Sequence, residues 1–264
     1  MKLGFIGCGN MAGAMLGGIL KEELLKKDEI IASTSSAKSL QRVRECFGIC
    51  TALSNREVAE KSEILVLAVK PQYYEEIIEE IRECISDSQI VVSIAPGKTL
   101  DWLEERFGKP LKLVRCMPNT PALVGEGITG VCRNRRVEDG ELEQVCRILR
   151  SCGETEVLSE HLMDVVVSVS GSSPAYVFLF IEAMADAAVA DGMPRAQAYK
   201  FASQAILGSA RMVLETGRHP GELKDMVCSP GGTTIEAVRV LEEKGFRSAV
   251  IEAMKACVRK AKGM

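Results

Sequence analysis

Short runs of aliphatic and β-branched residues alternate with amphipathic stretches as far as about residue 158, and then the runs stop. No other property of the 264-residue chain restricts its fold as strongly. The runs fall at residues 3–6, 29–32, 64–69, 90–94, 111–116 and 128–132. Helix-patterned stretches at 10–26, 37–47, 73–85 and 138–151 separate them. Strands apolar on both faces, alternating with helices, predict an α/β domain with a doubly wound parallel sheet covered on each side. Ser54 and Glu57 stand at capping-box spacing and predict a short helix before the run at residue 64.

Residues 159–264 carry helix signals only. Ser173 and Pro174 read as an N-cap followed by a first-turn proline, with the helix running to Gly192. Pro194 starts a second helix that ends near Gly217, Pro220 a third, Thr233 a fourth that stops at Gly245, and residues 247–260 form a last one. Two domains follow, 1–158 and 159–264. The Ala- and Met-rich faces of the second are too broad for one small bundle to cover, so dimerisation through these helices is expected. The apolar stretch at 175–190 is interrupted by Glu182 and Asp186, and reads as the core helix of a soluble domain rather than a membrane span.

A net charge of −3 with both signs mixed gives no basic footprint for nucleic acid or an anionic membrane. Ten cysteines are scattered singly without a CxxC pair, and Met1-Lys2 leads directly into the first run without a signal peptide. Reduced thiols and a cytoplasmic location are expected. His161 and His219 lie far apart and offer no zinc spacing; His219, before Pro220, reads as an exposed helix junction.

Gly7-Cys8-Gly9-Asn10-Met11-Ala12 follows the first run and opens the first helix. In this G-x-G-x-x-A pattern the first glycine makes the tight turn and the second admits a pyrophosphate to the backbone. The small last residue lets helix and strand pack closely. A Rossmann-type dinucleotide site is expected. Cys8 is accounted for by small-residue packing, although its oxidation would hinder a bound cofactor. After the second run, where an NAD site usually places a carboxylate, the chain reads Ser33-Thr34-Ser35-Ser36 with Lys38 beyond. Hydroxyls beside a cation favour NADPH, with NADH possible. Ala68-Val69-Lys70-Pro71 and Cys116-Met117-Pro118-Asn119-Thr120-Pro121 end two further runs in proline-fixed turns that could wall a nicotinamide. Lys70 is read as part of that wall rather than as a catalytic acid.

Near the other end lies Ser229-Pro230-Gly231-Gly232-Thr233-Thr234-Ile235-Glu236. Thr233 and Glu236 are spaced as a capping box, which leaves the Thr234 hydroxyl spare. N–H groups of Gly231, Gly232 and the first helical turn would form a site for a small carboxylate or phosphate.

Together these segments resemble the pyrroline-5-carboxylate reductases. The resemblance runs through Gly4–Met11, Ala68–Gln72, Arg115–Pro121, Ser170–Tyr176, Leu223–Val227 and Ser229–Glu236, which covers nearly the whole chain. It implies a Rossmann domain, an all-α C-terminal dimerisation domain, active sites where domains and partner subunits meet, and reduction of 1-pyrroline-5-carboxylate to proline. The implied cofactor contacts are Gly7, Cys8, Gly9, Asn10, Met11, Ser33, Ser35, Asn55, Val69, Lys70 and Ala95, to which the strand-end reading adds Thr34, Ala68, Pro71 and Asn119. The implied substrate contacts are Ser229, Gly231, Gly232, Thr233, Thr234 and Glu160. The family often has proline where this chain has Ser35. A cyclic imine that enters protonated needs a hydride at carbon and neither a metal nor a covalent nucleophile, and Thr234 can hydrogen-bond its nitrogen. The β-hydroxyacid dehydrogenases resemble the chain in architecture but carry a catalytic lysine on the first long helix of the second domain, and residues 175–191 contain none. A non-catalytic NADPH sensor is a further alternative, against which the intact 229–234 loop counts.

Overall fold

The computed structural model describes residues 2–263. Its eight strands are β1 (Leu3–Ile6), β2 (Ile30–Ser33), β3 (Cys50–Ala52), β4 (Ile64–Leu67), β5 (Ile90–Ser93), β6 (Lys112–Met117), β7 (Gly127–Arg133) and β8 (Gly153–Val157). They form one sheet in the order β3-β2-β1-β4-β5-β6-β7-β8. The helices between them are α1 (Asn10–Lys21), α2 (Ala37–Phe47), α3 (Asn55–Lys61), α4 (Tyr74–Ile81), α5 (Leu100–Phe107) and α6 (Asp139–Arg150). Alternate residues of one strand serve opposite faces. Phe5 joins the core formed with Leu16, Ile30 and Val66. Ile6 joins the one formed with Leu65, Tyr74 and Leu103.

The sheet is not wholly parallel. β6 and β7 pair antiparallel, with Arg115 opposite Cys132. Only a 3-10 turn, Thr120–Val124, separates them. A parallel return would need a crossover of about a dozen residues or more. Strands β3 and β8 and helix α5 were not expected. β3 has three residues, and β8 reads GETEV with little apolar content.

Two compact units emerge, one holding the residues up to Ser172 and those from Val258 onward, the other Ser173–Cys257. The first continues past the sheet through α7 (Met163–Val166) and a π-helical turn, Val167–Gly171. The second is built from α8 (Ser173–Ala190), α9 (Arg195–Thr216), α10 (Pro220–Val227), α11 (Thr233–Glu243) and most of α12 (Phe246–Ala261). No strand follows Val157 among the described residues. The second unit's buried hydrophobic residues are Ala185, Ala198 and Ala202 alone. Phe178, Leu179, Phe201 and Leu214 stay 61%, 67%, 67% and 84% exposed. The expectation of a core helix at 175–190 is therefore overturned for the single chain. The helical run Glu160–Ala190 is long and apolar enough to cross a membrane: an 18-residue stretch within it has a mean hydropathy of 1.5, and 6% of that stretch is buried.

Candidate active site

The first turn of the sheet domain leaves a helix end open. Gly7 sits at φ +88°, and a Cβ there would lie 2.9 Å from the Ala68 carbonyl oxygen, so only glycine fits against β4. Gly7 N–H donates to Ser33 O at 3.0 Å. Gly9 is the N-cap of α1, no side chain caps that helix, and a Cβ built on Gly9 meets nothing within 4 Å. First-turn N–H groups of Asn10 and Met11 thus face open space, which is the arrangement that receives a pyrophosphate. Cys8 and Met11 pack against the core. Desolvation pushes the Cys8 thiol up to about 11, against the pull of the Arg42 guanidinium. The thiol is neutral near pH 7, as a packing residue would be.

The hydroxyls beyond β2 are less free than the sequence implies. Ser33 is buried and donates to Asn55 Oδ1 at 2.7 Å, while Asn55 Nδ2 donates to Glu80 Oε2 at 2.7 Å. Thr34 Oγ1 donates to Ser36 O, and Ser36 Oγ caps α2 at Ser39 N. Ser35 is exposed and its hydroxyl has no hydrogen bond among the described residues.

A chain of donors runs beneath the next two strand ends. Ala95 N donates to Ser93 Oγ at 3.5 Å, Ser93 Oγ to Tyr74 Oη at 3.2 Å, and Tyr74 Oη to Leu67 O at 2.6 Å. Burial pushes the Tyr74 hydroxyl well above its ordinary range, so it remains a donor. These bonds hold the ends of β4 and β5, from which Ala68, Val69 and Ala95 project, at a fixed separation. Lys70 is exposed at the start of the 3-10 turn Pro71–Tyr73. Asn119 is buried and already engaged: its Oδ1 accepts from Ile128 N at 2.9 Å and its Nδ2 donates to Ser170 O at 3.1 Å. It ties β7 and the π-helical turn to the end of β6. All the sequence-derived cofactor residues thus gather at the carboxyl edge of the sheet, where open α/β sheets bind ligands. A groove of about 590 Å³ lined by Glu60, Ser62, Cys84, Gln89 and Glu141 lies at the amino ends of β4 and β5, the opposite edge.

Sequence reasoning missed Arg115. This residue sits in the middle of β6, and its side chain is 2% exposed. Its Nη1 donates to Glu160 Oε1 at 2.9 Å, and Glu160 Oε1 also accepts from Leu100 N at 2.8 Å. Asp164 Oδ1 stands 3.8 Å from Nη2. The signal was present, since an arginine inside the apolar run Lys112–Met117 must find a buried counter-ion.

In the second unit, Ser229-Pro230-Gly231-Gly232 forms a type II turn. Gly231 has φ +69°, and Gly232 N–H donates to Ser229 O at 3.0 Å. Gly232 is the N-cap of α11, with φ −81° and ψ 172°, and Thr233 is its first helical residue. The expected capping box is absent, because Glu236 instead binds Arg239 at 2.7 Å and no side chain caps the helix. The Gly232 N–H, expected to face a ligand, is committed to the turn. The free donors are the first-turn N–H groups from Thr233 onward. The hydroxyl of the half-buried Thr234 has no hydrogen bond among the described residues. Ser54 likewise occupies the N-cap of α3 without bonding it, and Glu57 pairs with Lys61 at 2.7 Å. None of the ten cysteines forms a disulfide, and no cluster of metal-binding side chains occurs among the described residues.

A doubly wound sheet with a glycine turn and an uncapped helix at its carboxyl edge defines a dinucleotide-binding protein. Family models agree. Residues 2–97 match that of the NADP oxidoreductases described as coenzyme F420-dependent, and residues 160–264 match that of pyrroline-5-carboxylate reductase dimerisation. The chain is 56% identical to the pyrroline-5-carboxylate reductase of Escherichia coli (strain K12) over 98% of its own length and 97% of that protein. Among solved structures, a pyrroline-5-carboxylate reductase from Coxiella burnetii superposes with a TM-score of 0.93 at 36% identity, covering 99% of this chain and 97% of the other. A Plasmodium falciparum pyrroline carboxylate reductase with NADP bound gives a TM-score of 0.90 at 36% identity, covering 100% and 97%. The chain belongs to the pyrroline-5-carboxylate reductase family.

Proposed function

We propose that the chain reduces 1-pyrroline-5-carboxylate to L-proline with NADPH, NADH being a possible substitute, as the last step of proline biosynthesis. The observation that carries this reading is the uncapped start of α11, where first-turn N–H groups and an unpaired Thr234 hydroxyl are offered together. An anion and a ring nitrogen on one small molecule match that pair.

The cofactor is held by residues that fit it. The open N-terminus of α1 at Gly9 takes the pyrophosphate, with Gly7, Cys8, Asn10 and Met11 forming the turn. Ser33, Thr34, Ser35 and Asn55 surround the adenosine ribose, and Ala68, Val69, Lys70, Pro71, Ala95 and Asn119 form or brace the nicotinamide wall. NADPH supplies a hydride when bound. Ser229, Gly231, Gly232 and Thr233 shape the turn that leads the carboxylate to the free N–H groups. Thr234 hydrogen-bonds the ring nitrogen, and Glu160 is read as a further substrate contact. Orientation of a reactive, already protonated imine can account for up to roughly 7–11 kcal/mol of the barrier.

The apolar faces of α8 to α12 are read as a self-association surface in a homodimer or larger homo-oligomer. The protein is expected in the cytoplasm, without nucleic-acid or membrane partners. Against the β-hydroxyacid dehydrogenase reading, α8 carries no lysine. Purified protein mixed with NADPH and pyrroline-5-carboxylate should lose absorbance at the reduced-nicotinamide band and form proline. Cofactor binding without oxidation would leave the sensor reading, and turnover of a β-hydroxyacid instead would replace the enzyme class.

A further inference from the structure

We infer that Arg115 is a positioning residue for the substrate's ring nitrogen, acting through Glu160. The inference rests on the proposed reading of Glu160 as a substrate contact. Glu160 has two carboxylate oxygens with different duties. Oε1 is held from behind by Arg115 Nη1 at 2.9 Å and by Leu100 N at 2.8 Å. Oε2 has no hydrogen bond among the described residues and keeps its lone pairs. The guanidinium is 2% exposed and the carboxylate 28%, so the cation lies at the back and the anion at the front. Two carboxylates, Glu160 and Asp164, face one guanidinium, so the cluster bears one net negative charge. That balance suits a protonated imine, which brings a positive charge and one N–H donor.

Stability alone gives Arg115 a poor rationale. Its Nε and Nη2 are buried without a hydrogen-bond partner among the described residues, and Asp164 Oδ1, 3.8 Å from Nη2, is too distant to close one of those bonds. An under-satisfied buried cation is costly, and such exceptions cluster where function requires them. Leu100 opens α5, a few residues beyond Ala95. The same carboxylate oxygen therefore also fixes the segment that follows the nicotinamide wall.

The test uses the full-length protein and measures, for each variant, thermal midpoint, NADPH affinity by fluorescence titration, and KM and kcat with pyrroline-5-carboxylate. Glu160→Gln turns an N–H toward the substrate and should raise the KM for pyrroline-5-carboxylate about tenfold. Arg115→Met should raise it by a similar factor while NADPH affinity stays within about twofold. The double variant should match Glu160→Gln alone within about twofold, because both changes remove one interaction. If Arg115→Met does not fold, Arg115→Lys takes its place. Its single ammonium cannot grip Oε1 and face Asp164 together, so an intermediate rise in KM is expected. A wild-type KM in a folded Arg115 variant, with a raised KM in Glu160→Gln, overturns the positioning role and leaves the proposed function standing. Multiplicative effects in the double variant overturn it too. A wild-type KM in Glu160→Gln removes Glu160 from the substrate site, and a wild-type protein that does not turn over pyrroline-5-carboxylate removes the proposed function itself.

Discussion

Thr234 shows what a single side chain contributes when its neighbours leave it alone. Its hydroxyl has no hydrogen bond among the described residues, so binding substrate breaks none of the bonds described there. Thr234→Ala should lower kcat by about tenfold to a hundredfold, ~1.4–2.7 kcal/mol of barrier, with an unchanged circular dichroism spectrum. Cofactor choice sharpens in the same way. Ser33 and Thr34, expected from the sequence to favour NADPH, donate their protons to Asn55 and to the Ser36 carbonyl. Ser35 retains its own. Ser35→Ala should therefore weaken NADPH about tenfold, with NADH affected less than twofold, in parallel titrations of both cofactors. Cys8 carries a pH consequence. Its folded-state thiol is raised from 9.0 to about 11, so the fold binds that proton more tightly than the unfolded chain does. The resulting stability is complete below pH 9 and is lost as pH rises toward 11. Thermal midpoints should fall over that window, and fall less in Cys8→Ala.

At the scale of elements, the strands and helices around the glycine loop were legible because each is long, periodic and bounded by turn residues. α2 was expected at residues 37–47 and lies at Ala37–Phe47. What was not legible depended on partners distant in sequence. β3 and β8 are short edge strands defined by pairing rather than composition. The reversal of β7 follows from the length of the link before it. Both capping boxes failed for one reason: Glu57 and Glu236 each have a cation three or four residues onward on their own helix, and an ion pair there competes with reaching back to the cap. The site residues divide likewise, since the glycine turns announce themselves but Arg115 and Tyr74 matter only through what they meet. The turn before α11 gives a further test. A Cβ on Gly232 would lie 3.1 Å from the Ser229 carbonyl oxygen and 2.3 Å from its Oγ. Gly232→Leu should abolish substrate saturation yet leave NADPH affinity within about twofold, as separate titrations would show, because the cofactor turn belongs to the other unit. Loss of both would indicate misfolding.

Across the whole molecule, the two kinds of sequence pattern correspond to two kinds of interior. The sheet unit has a large apolar core on each face, whereas the helical unit buries three alanines and exposes most of its aromatic and leucine side chains. The match of residues 160–264 to a dimerisation model fits such a unit, since a second copy would remove its apolar surface from water. The thermal midpoint and specific activity should therefore both fall on dilution, and sedimentation should show dissociation over the same concentration range. Dilution-independent behaviour of a monomer would leave the exposed faces without an occupant. The three-alanine interior also has a biosynthetic consequence. Chains emerge from the ribosome amino end first, and domains fold as they appear. Most of the sheet unit can therefore fold while the helical unit is still being made. The apolar faces of the helical unit then emerge after most of the sheet unit has folded, and the residues from Val258 onward, which complete the sheet unit, emerge last of all.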